Sequence, residues 1–204
     1  MNKTKIDWAD YTWNPVIGCK HGCSYCYART WAKRSGQSFE PHKSKDWRKP
    51  YKIKEKSTIF VCSLADLFGD WVPAEWINDV IKVCRENPLH EFMFLTKNYR
   101  RYREFEFPNN CGLGATITKK EDVVDRPDFY KFTTNKHRTF LSIEPLLGSF
   151  DGFQFWFSGL DLIIVGAMTG PRAVEPKKEW IDSIEYHSIF YKENIKKYLN
   201  QGVK

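Results

Sequence analysis

The sequence predicts an α/β chain of about six parallel strands, with helices on the outside of the sheet. Three observations predict it. Short β-branched runs recur from residue 58 onward: TIFVCS (58–63), EFMFLT (91–96), CGLGATI (111–117), RTFLSIE (138–144) and DLIIVGA (161–167). They are almost continuously apolar, as strands covered on their faces are. Longer polar or helical stretches separate them and supply the crossovers that parallel strands require.

The elements follow in order. YTWNPVIG (11–18) is read as the first strand and feeds directly into a loop rich in cysteine. After 58–63 comes VPAEWINDVIKVCREN, a helix with Trp76, Ile77, Val80, Ile81, Val83 and Cys84 on one face. Pro73 suits its first turn, Lys82 and Arg85 suit its last, and Asn87-Pro88 stops it. Lys177 and Lys178 begin a late helix and, with Arg172, make a basic rim; a helical tail over about 187–204 closes the chain. No internal repeat and no Gly/Ser-rich linker divides the sequence, so residues 1–204 are expected to form one domain. A partial βα barrel and an open doubly wound sheet both fit. In either, ligands sit at the carboxyl ends of the strands. The candidate polar residues lie there: the cysteines after the first run, Ser63 and Asp66 after the second, Thr96 and Lys97 after the third, Glu144, and the GAMTG turn (166–170).

Composition narrows the class. Hydrophobic residues make up 42% of the chain, enough for a packed core and against disorder. No run approaches the roughly 18–20 apolar residues of a membrane span. The opening MNKTKIDWADYTW lacks the apolar centre of a secretory signal, which points to a cytoplasmic address. Thiols there are free or bind metal more often than they pair. The formal charge of +7 favours an anionic partner, a nucleotide or nucleic acid. It is densest in HKSKDWRKPYKIKEK (42–56) and KNYRR (97–101), read either as solvated faces or as phosphate contacts.

The stretch NPVIGCKHGCSYCYART places Cys19, Cys23 and Cys26 on one loop, spaced C-x3-C-x2-C. Thiolates so grouped bind soft metals. Structural zinc takes four closed ligands, and a fourth would have to be His21, strained by its place on the same loop, or the distant Cys62 or Cys111. A 4Fe–4S cluster also normally takes four thiolates. With three, one iron keeps an open position, which is a sign of chemistry rather than of structure.

The spacing, the aromatic Tyr25 before the last cysteine and the place after the first strand together resemble the radical SAM superfamily. YTWNPVIGC, VCSLADLF, VPAEWI, FLTK, LSIEPLLG and VGAMTGPRA, in this order, resemble its small phage-associated branch. The resemblance covers about residues 5–195 and implies a partial (β/α)6 barrel with the cluster loop (18–28) at its open mouth. It implies that Cys19, Cys23 and Cys26 hold three irons and that S-adenosylmethionine chelates the fourth. An electron from the cluster would release methionine and a 5′-deoxyadenosyl radical, which takes hydrogen from a substrate. An electron donor is implied with it. Tyr25 would contact adenine, Ser63 or Asp66 the methionine amino group, and Glu144 the ribose or methionyl end. Thr96 lies among these cofactor contacts, and the backbone at Gly166 would pass along the adenine edge. Lys97 and Glu144 are the candidates for catalysis.

Two motifs depart from the family. SLAD stands where the superfamily has Gly-Gly-Glu, and GAMTG stands where the branch has Gly-Gly-Glu-Ser-Gly. Plainer readings stand beside the functional ones. Asp66 is equally suited to cap a turn, and Lys97 to pair with Glu144 or another acid. Cys62, Cys84 and Cys111 read as small core residues, and histidines 21, 42, 90, 137 and 187 are assigned no site. The competing function is a zinc-stabilised nucleic-acid-binding module without turnover.

Overall fold

In the computed structural model of the protein, residues 2–4, 6–123, 125–133, 136–170 and 172–199 are described. The chain forms two compact units, residues 1–113 and 114–204.

The first unit begins with β1 (Asn2–Lys3), antiparallel to β2 (Tyr11–Trp13). The expected first strand does not run unbroken to residue 18. Pro15 has no N–H to give a ladder, so the chain leaves the sheet at Asn14. It re-forms as β3 (Val16–Ile17), paired antiparallel with β4 (His42–Lys43) in a separate ribbon. Between these two lies α1 (Tyr27–Arg34), which buries Ala28 and Ala32 one turn apart. Then β5 (Thr58–Val61) pairs parallel to β2, with Trp13 opposite Val61.

Helix α2 (Ala74–Glu86) has Pro73 as its N-cap and buries Ile77, Val80, Ile81 and Cys84, an i, i+3, i+4, i+7 stripe. Each such aliphatic side chain taken from water contributes about 1.5–3 kcal/mol. Trp76, expected on the same face, is only half-buried and lies under the Lys43 ammonium. β6 (Glu91–Thr96) is parallel to β5. Trp13 and Phe92 meet edge-on at 5.9 Å, and Phe68 packs on Phe94 and Tyr102. β7 (Cys111–Ile117) spans the boundary between the units.

In the second unit α3 (Arg126–Thr133) precedes β8 (Thr139–Ile143), every residue of which is buried. β9 (Leu162–Val165) lies parallel to β8. After α4 (Lys178–Asp182) comes β10 (Ile189–Tyr191), parallel to β9 in register Ile189–Ile163 to Tyr191–Val165. This strand occupies the start of the segment read as a helical tail; the helix, α5 (Glu193–Leu199), follows it, and residues 200–204 of that reading lie outside the described residues. Phe129, Phe150, Phe153 and Phe157 fill this core with tilted and edge-on contacts. No described helix is long and apolar enough to cross a membrane.

Candidate functional site

The cysteine loop leaves the first unit's sheet through Gly18. Its φ of +96° lies in the left-handed region, and a Cβ there would stand 2.5 Å from the Glu40 carbonyl oxygen. The Gly18 N–H donates to Leu64 O (3.1 Å), and Gly18 bridges to Ala65, so the loop starts against the turn that follows β5. Cys19 N–H donates to Phe39 O. At the far end Cys26 N–H donates to Cys23 O, and Cys26 is the N-cap of α1, its Sγ accepting from Arg29 N–H at 3.3 Å. The Arg29 guanidinium reaches back to Cys19 O at 3.2 Å. All three thiols are free and half-buried. Burial pushes the Cys19 thiol up, with Asp66 and Cys26 adding to it.

The SLAD turn meets this loop directly. Asp66 is 6% exposed and accepts four hydrogen bonds: Thr96 Oγ1 (2.7 Å) and Phe68 N–H (3.1 Å) on Oδ1, His21 Nε2 (2.7 Å) and Lys97 N–H (2.9 Å) on Oδ2. A carboxylate offers about four lone-pair sites, and four donors fill them. Thr96 Oγ1 also accepts from Asn98 N–H at 2.8 Å, which makes it part of the turn after β6. The Lys97 ammonium lies 5.6 Å from the centroid of the Tyr25 ring, over its face. Ser63 Oγ donates to Asn14 Oδ1 (3.2 Å), which also accepts Leu64 N–H (2.9 Å); the Ser63 carbonyl accepts from Tyr27 O–H.

Within the first unit the structure therefore brings together Cys19, Cys23, Cys26, Tyr25, Ser63, Asp66, Thr96 and Lys97. Glu144 and Gly166 form a separate group in the second unit. Glu144 Oε1 accepts from Lys192 Nζ at 2.6 Å, and the missing side chain of Gly166 makes room for that carboxylate: a Cβ would lie 2.9 Å from Glu144 Cδ. The backbone of Gly166 is engaged at both ends, its N–H with Ile143 O and its carbonyl with Leu146 N–H. Ala167, in the altered GAMTG turn, exchanges both backbone groups with the Asn194 side chain.

Other expectations resolve locally. Lys177 pairs with Glu179 and Lys178 with Asp182, so both lysines of the late helix are engaged near its start. Cys62 is buried, with φ +59°, and burial pushes its thiol up to about 12; Cys84 and Cys111 are buried as well. The basic stretch 42–56 lines a cavity of about 370 Å³ through Lys49, Lys52 and Lys54, with Tyr11 at the start of β2. That is the opposite end of the strand from the cysteine loop.

A cluster fits the chemistry of that loop's donor set: three free thiols on one loop, one at a helix N-terminus where negative charge is favoured. Among the described residues no three His, Cys, Asp or Glu side chains converge tightly enough to hold a single metal ion. His21, the nearest fourth donor for zinc, is turned onto Asp66.

Over residues 3–199 the chain matches the family described as protein of unknown function, DUF5131. It belongs to that family. No curated protein matches this DUF5131 chain. Solved structures do. Spore photoproduct lyase complexed with dinucleoside spore photoproduct is similar with a TM-score of 0.61 and 12% identity, covering 81% of this chain and 58% of that one. A mutant of that lyase with bound AdoMet and dinucleoside spore photoproduct gives 0.59 and 12% over 82% and 58%. Another mutant gives 0.62 and 14% over 83% and 60%. The chain thus spans under two thirds of the length of those proteins. At such identity the likeness shows the fold alone, the parallel-stranded partial barrel that the resemblance implied.

Sequence reasoning did not place Asn14, Tyr27 or Lys192 in these groups, and it weighed His21 only as a fourth zinc ligand. His21 sits midway between two cysteines, the one local sign that it is part of the loop. Its acid is 45 positions away, and the partner of Lys192 is 48 away.

Proposed function

We propose that this protein is a radical SAM enzyme of the small phage-associated branch, working in a reducing cytoplasm on a nucleotide or nucleic-acid substrate. The observation that carries the reading is the C-x3-C-x2-C loop, three free thiols with no fourth donor gathered on them among the described residues, following the first parallel strand of this fold. The +7 charge supports an anionic substrate. The neighbours bound to a dinucleoside photoproduct support a nucleotide one.

Cys19, Cys23 and Cys26 would hold a 4Fe–4S cluster, and the positive end of α1 favours its negative charge. When bound, the cluster and S-adenosylmethionine supply one-electron cleavage of the sulfonium, with the electron coming from an external donor. The chain's own residues do the rest. Gly18 lets the loop turn tightly against Glu40. Tyr25, held under the Lys97 ammonium, presents a fixed ring face for adenine. Ser63 Oγ spends its hydrogen on Asn14, which leaves its lone pairs to accept from the methionine ammonium. Glu144 is assigned to the ribose or methionyl end, oriented by Lys192.

Anaerobic reconstitution followed by S-adenosylmethionine and dithionite tests the proposal. It expects iron and sulfide in the protein and release of 5′-deoxyadenosine, and loss of that product when the three cysteines are replaced by alanine. One zinc per chain without iron after reconstitution would support the nucleic-acid-binding module instead.

A further inference from the structure

We propose that Asp66 is a positioning residue: through His21 and Lys97 it holds the three-cysteine loop against the turns that follow β5 and β6, and it does not itself receive a cosubstrate. The proposal rests on the reading above for what the loop carries, not for the clasp. The backbone–backbone bonds given for the loop lie at its ends, from Gly18 to Leu64 and Cys19 to Phe39 at the start, and from Cys26 to Cys23 at the helix, while the Cys19 thiol accepts from the His21 and Asp66 backbone N–H groups. Between them the chain carries two rings that are gripped from the sheet. His21, four residues past Ile17, donates to Asp66 Oδ2 at 2.7 Å; an ionised carboxylate only accepts, so Nε2 carries the hydrogen. Its ring stands edge-on to Trp71 at 4.8 Å. Tyr25 lies under the ammonium of Lys97, whose backbone N–H is bound to the same Oδ2.

Both grips therefore converge on one buried carboxylate, which Thr96 and Phe68 N–H hold from the other side. An arriving ammonium would need a lone pair that is already occupied, and displacing a donor would leave it buried without a partner. This accounts for SLAD standing where the superfamily that the sequence resembles has Gly-Gly-Glu. The acid serves the cysteine loop, and Ser63 is left for the cosubstrate.

Hydrogen–deuterium exchange on the full chain without cluster is the first test, comparing wild type with His21→Ala, His21→Gln and Asp66→Asn. Exchange within residues 18–26 is expected to rise about tenfold in His21→Ala and Asp66→Asn, the size of one lost hydrogen bond to a charged group, and less in His21→Gln, which keeps a donor. After reconstitution the same two variants should lose iron to a chelator several-fold faster than wild type. Their remaining clusters should still show the wild-type change in electron paramagnetic resonance on adding S-adenosylmethionine. Unchanged exchange in both variants overturns the clasp. So does a fully loaded Asp66→Asn protein whose signal ignores S-adenosylmethionine while that of His21→Ala responds. If wild type takes up no iron, the functional reading fails and the exchange data still decide the clasp. If Asp66→Asn does not fold, His21→Ala decides alone.

Discussion

Asp66 and Glu144 are both acids at the end of a buried strand run, and both read from sequence as cofactor ligands, yet the two units use them differently. Asp66 is almost wholly buried and has four donors on two oxygens. The Glu144 side chain is 30% exposed, and its Oε1 meets one lysine. A buried acid must have partners, but those partners need not be a ligand. Counting lone pairs separates the two: Asp66 is saturated, whereas the partner seen on Glu144 among the described residues is Lys192, and the proposed cofactor contact is assigned to Glu144.

The sharpest way to break this comparison is Asp66→Ala. Four donors lose their acceptor, two of them deep in the first unit, and stability should fall by about 3–5 kcal/mol. Urea unfolding with an unchanged slope measures it; a loss below about 1 kcal/mol would mean the network holds nothing. Gly18→Ala comes next, at about 2–3 kcal/mol, because φ is positive and the obstacle is the backbone at Glu40, which cannot swing aside. Its counterpart Gly166→Ala should cost only about 1 kcal/mol. There the obstacle is the flexible end of Glu144, and the displaced group should be the ion pair with Lys192. Smallest of all, Glu144→Gln should lower stability by less than about 1 kcal/mol, since the pair is partly solvated. A double-mutant cycle with Lys192→Met measures the coupling, and the proposed binding role predicts a loss of deoxyadenosine formation far larger than the loss of stability.

Much of the fold was legible. The runs 91–96 and 111–117 are strands residue for residue, because long apolar segments bounded by turns leave no other economical burial. The break in the first strand was also written locally, in Pro15, but its consequence was not: the side chain of Asn14 takes the Leu64 N–H after β5. β10 was hidden because Ile189–Tyr191 is too short to show a period, and it becomes a strand only because β9 offers an open edge. At the site, the three cysteines announced themselves by spacing. His21 did not, since nothing in CKHGC says which way the ring turns.

Periodicity, proline and cysteine spacing are properties of neighbours along the chain, so the amino-acid order alone determined the α/β class, most strand positions and the sulfur trio. Which acid grips the loop and which stays available depends on residues 31 to 48 positions apart meeting across strands. Only folding brings them within hydrogen-bond reach, because those contacts arise from the geometry of parallel strand ends and leave no local pattern in the sequence.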